Sequence, residues 1–333
     1  MKRETTLLSR NDSGLCSLSK RSSRRVFCQA VVAAILVSSL LLPASGVRAA
    51  ESLHILAATY PAYLATLTAV QGIESVECEL LVAASRGCPH DYAMSPQDRM
   101  KLEKAQVLVL NGAGFEPFLD ERLLSSLKAL KIEAGKGLPD LACPEPLAAD
   151  HHGHKHGEAG GNPHYFSSPV RFGHMVSTIA LSLGEEFPAL RDRLQANALS
   201  FAKKVQALEK EMQALSGSGV QVILQHDTLS WFFHDMHLPV AAVLQQGSEE
   251  GPSPALLLAL AGRIKKEGKP CLLVSEPQFA GKSLNVLAQE TGAARVALDP
   301  VVSGPVTFAG TAGDYYLGVM QANIKAVAQA LKK

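Results

Sequence analysis

Beyond its first fifty residues the chain has no apolar run long enough to span a bilayer, so that part is not expected to enter a membrane. It has no basic stripe either, which argues against nucleic acid as a partner. H-E-x-x-H, G-x-S-x-G and a glycine-rich phosphate loop are all missing, and with them the usual signatures of metalloproteases, serine hydrolases and nucleotide-binding enzymes. A zinc-dependent hydrolase would need three protein ligands, an open fourth position and a base such as Glu276, and it is kept as the rival from another class. No cysteine follows the leading apolar run at a small-residue site, so a lipid anchor is not expected.

What the first residues do carry is an address. Ser23-Arg24-Arg25-Val26-Phe27 opens an apolar run from Val26 to Leu42, and Val47-Arg48-Ala49 supplies the small residues that a signal peptidase reads. Residues 1–49 are therefore read as a signal peptide cleaved after Ala49, with a periplasmic mature chain. The paired arginines fit a twin-arginine signal, and an ordinary signal with a long basic n-region fits as well. Cleavage leaves 24 Lys/Arg against 29 Asp/Glu, a net charge of −5. Four cysteines remain, Cys78, Cys88, Cys143 and Cys271. In an oxidising compartment Cys78 and Cys88 can close a short loop ahead of His90, Cys88 can alternatively ligate a metal as thiolate, and Cys271 reads as a small buried hydrophobe.

The chain is organised around DHHGHKHGEAGGNPH, from Asp150 to His164. Four of its eleven histidines, His151, His152, His154 and His156, fall there among glycine and lysine. Such a composition cannot bury a core but offers imidazoles to a cation, so residues 150–161 read as a metal-collecting loop. The run ends in Asn162-Pro163-His164, where proline fixes the backbone ahead of a histidine backed by Tyr165-Phe166.

Apolar runs bounded by turn signals alternate with helical periodicity along the rest, the pattern of parallel sheets covered by helices. Strands are expected at Leu53–Ala58, Val76–Val82, Val107–Leu110 and near Lys131–Ala134, then at Val220–Gln225, Val240–Leu244, Cys271–Val274 and Arg295–Leu298. Ser95-Pro96-Gln97-Asp98 is a capping box that starts a helix. Others are expected after Ser168-Pro169, from Ser253-Pro254 to Glu267, from Leu284 to Thr291 and from Tyr315 to Leu331. Between the halves, residues 188–216 show one sustained amphipathic pattern; some 28 helical residues would reach about 40 Å. The expected architecture is α/β: an N-terminal lobe (50–187) and a C-terminal lobe (217–333), each with a parallel sheet, joined by one long rigid helix (188–216), with a metal site in the cleft.

In open parallel sheets ligands bind beyond the carboxyl ends of the strands. Four metal-competent side chains follow strands: His90, His164, His226 directly after VILQ, and Asp314 in the turn Gly313-Asp314. Three neutral imidazoles and one carboxylate suit zinc, whereas manganese draws more oxygen. Glu276 in Ser275-Glu276-Pro277, and Asp227 beside His226, are placed to accept the second N–H of a ligating imidazole. His174, His234 and His237 read as structural.

At this point the chain resembles a known family. Residues 88–120, CPHDYAMSPQDRMKLEKAQVLVLNGAGFEPFLD, are similar to the P-H-D-Y…P-x-D…N-G-x-x-x-E-x-x-L segment of the metal-binding receptors of ABC importers, the cluster A-I group that includes ZnuA and TroA. Asn162-Pro163-His164-Tyr165 is similar to that group's N-P-H-x-W, His226-Asp227 to its H-D after a strand, and Gly313-Asp314-Tyr315-Tyr316 through Asn323 to its terminal helix. The likeness runs over residues 52–333. It implies a monomeric periplasmic receptor without enzymatic activity, which hands Zn2+ to a membrane permease and its ATPase, with His90, His164, His226 and Asp314 as ligands. The carboxylate at Asp314 leaves Mn2+ or Fe2+ open.

Overall fold

The computed structural model describes residues 52–85, 89, 92–139, 161–245, 252–279 and 281–332. Residues 1–49, the histidines of the 150–161 loop, His90, Cys88 and Cys143 lie outside the described residues, and with them the expected signal peptide and the Cys78–Cys88 pairing.

Two sheets of four parallel strands make the frame. The first has the order β2-β1-β3-β4, from β1 (Leu53–Ala57), β2 (Val76–Leu80), β3 (Val107–Leu110) and β4 (Leu130–Glu133). The second repeats the arrangement as β6-β5-β7-β8, from β5 (Gln221–His226), β6 (Val240–Gln245), β7 (Cys271–Ser275) and β8 (Ala294–Ala297). Central strands such as VLVL in β3 are buried along their whole length, as parallel strands covered on both faces must be.

Alternation within β1 shows what covers each face. Leu56 and Ala58 turn outward onto Leu102 of helix α2 (Pro96–Lys104) and Leu123 of α3 (Glu121–Ser126). Ile223 and Leu273 of the second sheet turn likewise onto Leu257, Leu260 and Ile264 of α7 (Pro254–Glu267) and onto Leu284 and Leu287 of α8 (Lys282–Thr291). The opposite faces share one continuous core. It takes in Ile55 and Val107 of the first sheet, Val222 and Val274 of the second, and helices α1 (Tyr60–Ala69), α4 (Pro169–Glu186), α5 (Arg191–Gln213), α6 (Ser230–Asp235) and α9 (Ala312–Ala330).

The long helix α5 is 23 residues, about 35 Å, and a 3-10 turn at Pro188–Leu190 precedes it. It buries Leu194, Phe201, Val205, Leu208 and Met212 along one face. It is embedded rather than free, since it runs beside α4 and also meets α1 and α9. Further ties join the two halves. Tyr316 on α9 stacks on Phe172 of α4 at 3.7 Å and donates to the carbonyl of Phe166 at 2.7 Å. The Tyr60 hydroxyl donates to Pro305 at 2.7 Å, and Gly304 N–H to the Ala84 carbonyl at 3.2 Å. A Cβ at Gly304 would sit 2.6 Å from the Tyr60 hydroxyl and 2.8 Å from that of Tyr315, so only glycine fits this crossing. Among the described residues no helix is long and apolar enough to cross a membrane.

Candidate metal centre

His226 is the last residue of β5, and the chain then turns through a 3-10 segment, Asp227–Leu229. His164 follows Pro163 and precedes the 3-10 segment Tyr165–Ser167. Both histidines are buried, His164 completely, and their rings stand edge to face with centroids 5.8 Å apart. With Asp227, also buried, they form a group in which each residue offers one ligand-competent atom within 4.8 Å of the others. The two histidines come from the two halves of the chain: His226 ends a strand, and His164 lies well beyond β4 at the start of a 3-10 turn.

The apolar surroundings are specific. Phe115 meets the His164 ring edge-on at 5.5 Å, Phe166 does so at 5.8 Å, and Phe279 stacks on His226 at 5.3 Å. These rings keep bulk water from the imidazoles and lower the local dielectric, which strengthens attraction to a cation.

Hydrogen bonds fix the tautomer of His164. His164 Nδ1 lies 2.8 Å from Asn162 Oδ1, an amide oxygen that can only accept, so Nδ1 carries the proton and the lone pair is on Nε2. His226 Nδ1 lies 2.5 Å from Thr228 Oγ1 and 3.3 Å from Asp227 Oδ1. The Thr228 hydroxyl can donate or accept, so this contact alone does not assign the His226 tautomer.

Glu276 follows β7 and is buried. Burial first, and the neighbouring Asp227 charge second, push its carboxyl well above the usual range, while hydrogen bonds from Gln278 and Thr228 oppose the shift. Its Oε1 has no hydrogen-bond partner among the described residues. Asp299, just past β8, adds to the same effect on Glu276 and is itself raised by burial. Asp299 is the acidic group the sequence reading missed; LDP directly after a strand was the available signal. Imidazole nitrogens with carboxylates at the mouth of two sheets suit a borderline divalent ion of the zinc type.

Asp314 stands elsewhere. It lies in the first turn of α9, half exposed, where it accepts from Lys204 Nζ at 2.6 Å and from the Thr311 hydroxyl at 2.8 Å. Lys204 first, and Thr311 next, hold its carboxyl below the usual range. The expected fourth ligand is thus a helix-capping carboxylate already paired with a lysine. His234 and His237 do not share a helix face: α6 ends at Asp235 and His237 has φ +57°. His174 meets the carbonyl of Lys136 at 2.9 Å.

Comparison with known proteins shows the family. Residues 55–330 match the family described as ZnuA, zinc-uptake complex component A, periplasmic. The chain is 29% identical over 304 residues to the zinc-binding lipoprotein AdcA of Streptococcus pneumoniae serotype 4. That alignment takes in 89% of this chain and 59% of AdcA, so the chain spans little more than half of that relative's length. A crystal structure of ZnuA superposes with a TM-score of 0.67 at 25% identity, over 84% of this chain and 99% of that one. The solute-binding protein FpvC of Pseudomonas aeruginosa in complex with Mn2+ gives 0.69 at 25% identity, over 85% and 99%. The chain belongs to the ZnuA family of periplasmic zinc-binding receptors.

Proposed function

We propose that this chain is an extracytoplasmic receptor that captures Zn2+ and delivers it to an ABC permease and its ATPase. The observation that carries the reading is the buried meeting of His164 and His226 from opposite halves of the chain, beside Asp227. A cation held there is bound to both lobes at once, so loading reports itself as a change in how the lobes are held, which a membrane partner can sense. In this reading His90 supplies a third imidazole, Glu276 and Asp299 are the nearby carboxylates, and His151, His152, His154 and His156 gather metal at the mouth. Asp314 keeps its helix-capping role.

The function is binding without turnover, in a periplasmic monomer released from its signal peptide after Ala49. AdcA and ZnuA are named for zinc, which supports zinc as the cargo; the FpvC complex with Mn2+ and the oxygen-rich flank of Glu276, Asp227 and Asp299 define the rival cargo. The test is the metal content of the protein purified from the periplasm, set against a His90/His164/His226 triple alanine variant. Near-stoichiometric zinc lost in the variant supports the reading. Manganese or iron in its place reassigns the cargo, and equal metal in both proteins removes the site.

A further inference from the structure

Behind His164 a chain of polar groups reaches toward His226, and Asn162 is its hub. Asn162 is buried. Its Oδ1 accepts from the backbone N–H of His164 and from the ring Nδ1, each at 2.8 Å. Its Nδ2 donates to the carbonyl of Asp227, the residue next to His226, at 2.8 Å. Its own carbonyl accepts from the Trp231 indole at 2.8 Å. One side chain thereby holds the ring of one histidine and the backbone beside the other.

The amide has only one workable orientation. Reversed, its NH2 would face the His164 backbone N–H, donor against donor, and its oxygen would face the Asp227 carbonyl, acceptor against acceptor. Both backbone groups have fixed polarity, so they determine where Oδ1 points. Oδ1 can only accept, so it in turn determines that His164 Nδ1 is protonated. Asp227 Oδ1, at 3.6 Å from the same nitrogen, is too distant to replace it. A loop-anchoring asparagine needs only the backbone bonds; the bond to the ring is the one such a role leaves unexplained.

We propose that Asn162 is a positioning residue that selects the metal-binding tautomer of His164 and ties that ring to the backbone beside His226. The proposal rests on the reading of His164 and His226 as zinc ligands.

The test uses the full chain. The ring nitrogens of His164 are read by long-range 1H–15N correlation, and zinc affinity by competition with a chromophoric chelator. In the metal-free wild type His164 should show a protonated Nδ1; an Nε2–H tautomer overturns the proposal without any variant. Asn162→Ala, checked for folding by circular dichroism, should lose the single tautomer and bind zinc roughly 10–100-fold more weakly. Asn162→Asp keeps the acceptor and should retain Nδ1–H and recover most of that loss; if Asn162→Ala does not fold, this variant and the wild-type spectrum decide. Wild-type affinity and tautomer in folded Asn162→Ala overturn the proposal. His164→Ala separates the two levels. If it binds zinc like wild type, the ligand assignment fails; if it binds weakly while Asn162→Ala does not, only the positioning role fails.

Discussion

His164 and His226 lie with ring centroids 5.8 Å apart and planes at 76°, one after the first sheet and one at the end of β5. Each Nδ1 faces a side-chain oxygen: an amide oxygen at His164, which places that ring's lone pair on Nε2, and a hydroxyl at His226. Under the proposed function, that relationship ties the two halves of the chain to one cation.

A ligand that binds only the folded state stabilises it, by about 2.7 kcal/mol at a concentration one hundred times its dissociation constant. Zinc at that excess should raise the melting temperature of the wild type. His164→Ala and His226→Ala should each abolish most of the shift while leaving the metal-free transition cooperative. Differential scanning calorimetry with and without zinc checks this; an undiminished shift in either variant contradicts the site.

Asp314→Asn should leave zinc affinity unchanged. Its carboxylate is committed to Lys204 and Thr311. Loss of an exposed ion pair costs at most about 1 kcal/mol. A chelator competition assay checks the affinity and urea unfolding the stability; a large drop in affinity would restore Asp314 to the ligand set.

Thr311-x-x-Asp314 has the same form as Ser95-x-x-Asp98, where the structure forms the capping box expected from the sequence. At the chain's end the same cap signal coincides with a carboxylate in a glycine-bearing turn, a pattern that reads equally as metal chemistry. The eight strands were legible because buried parallel strands are short apolar runs between turn signals. Helix α1 was not, because eight of its ten residues are buried and no polar face marks its period. His226 was legible from its place after VILQ. Asn162 was visible only as part of a motif, since the bond from Trp231 and the one to Asp227 join residues distant in sequence.

A nearly buried ion pair joins α4 to α6. Arg171 on α4 bonds Asp235 of α6 at 2.8 Å, both nearly buried, and the guanidinium lies 3.5 Å over the Trp231 ring. Ser168 donates to the other Asp235 oxygen at 2.6 Å. Asp235→Ala should cost about 3–5 kcal/mol, because it strands the arginine charge, and adding Arg171→Met should recover much of it. Urea unfolding of the two variants measures this. A double variant no more stable than the single one would mean that the cost is packing, not charge.

Glu116 should give stability a slope with pH. Its carboxylate accepts from the backbone N–H groups of Asn111 and Gly112 and from Thr59, and Asn111 holds the Pro163 carbonyl next to His164. Burial outweighs those bonds and raises its pKa to about 7. Between ~4.5 and ~7 the folded state binds the proton more tightly than the unfolded chain, so stability falls as pH rises through that window. The fall is on the order of 3 kcal/mol. Unfolding free energies at pH 5 and 8 should differ less in Glu116→Gln than in wild type, and an unchanged difference would contradict the assignment.

The most direct measurement is zinc K-edge X-ray absorption on the loaded full chain. A cation held by His164, His226 and His90 should show imidazole scattering with nitrogen or oxygen neighbours at about 2.0–2.1 Å and no sulfur. A first shell at about 2.3 Å, the distance of thiolate sulfur, or a shell without imidazole, would contradict a site built where the two lobes meet.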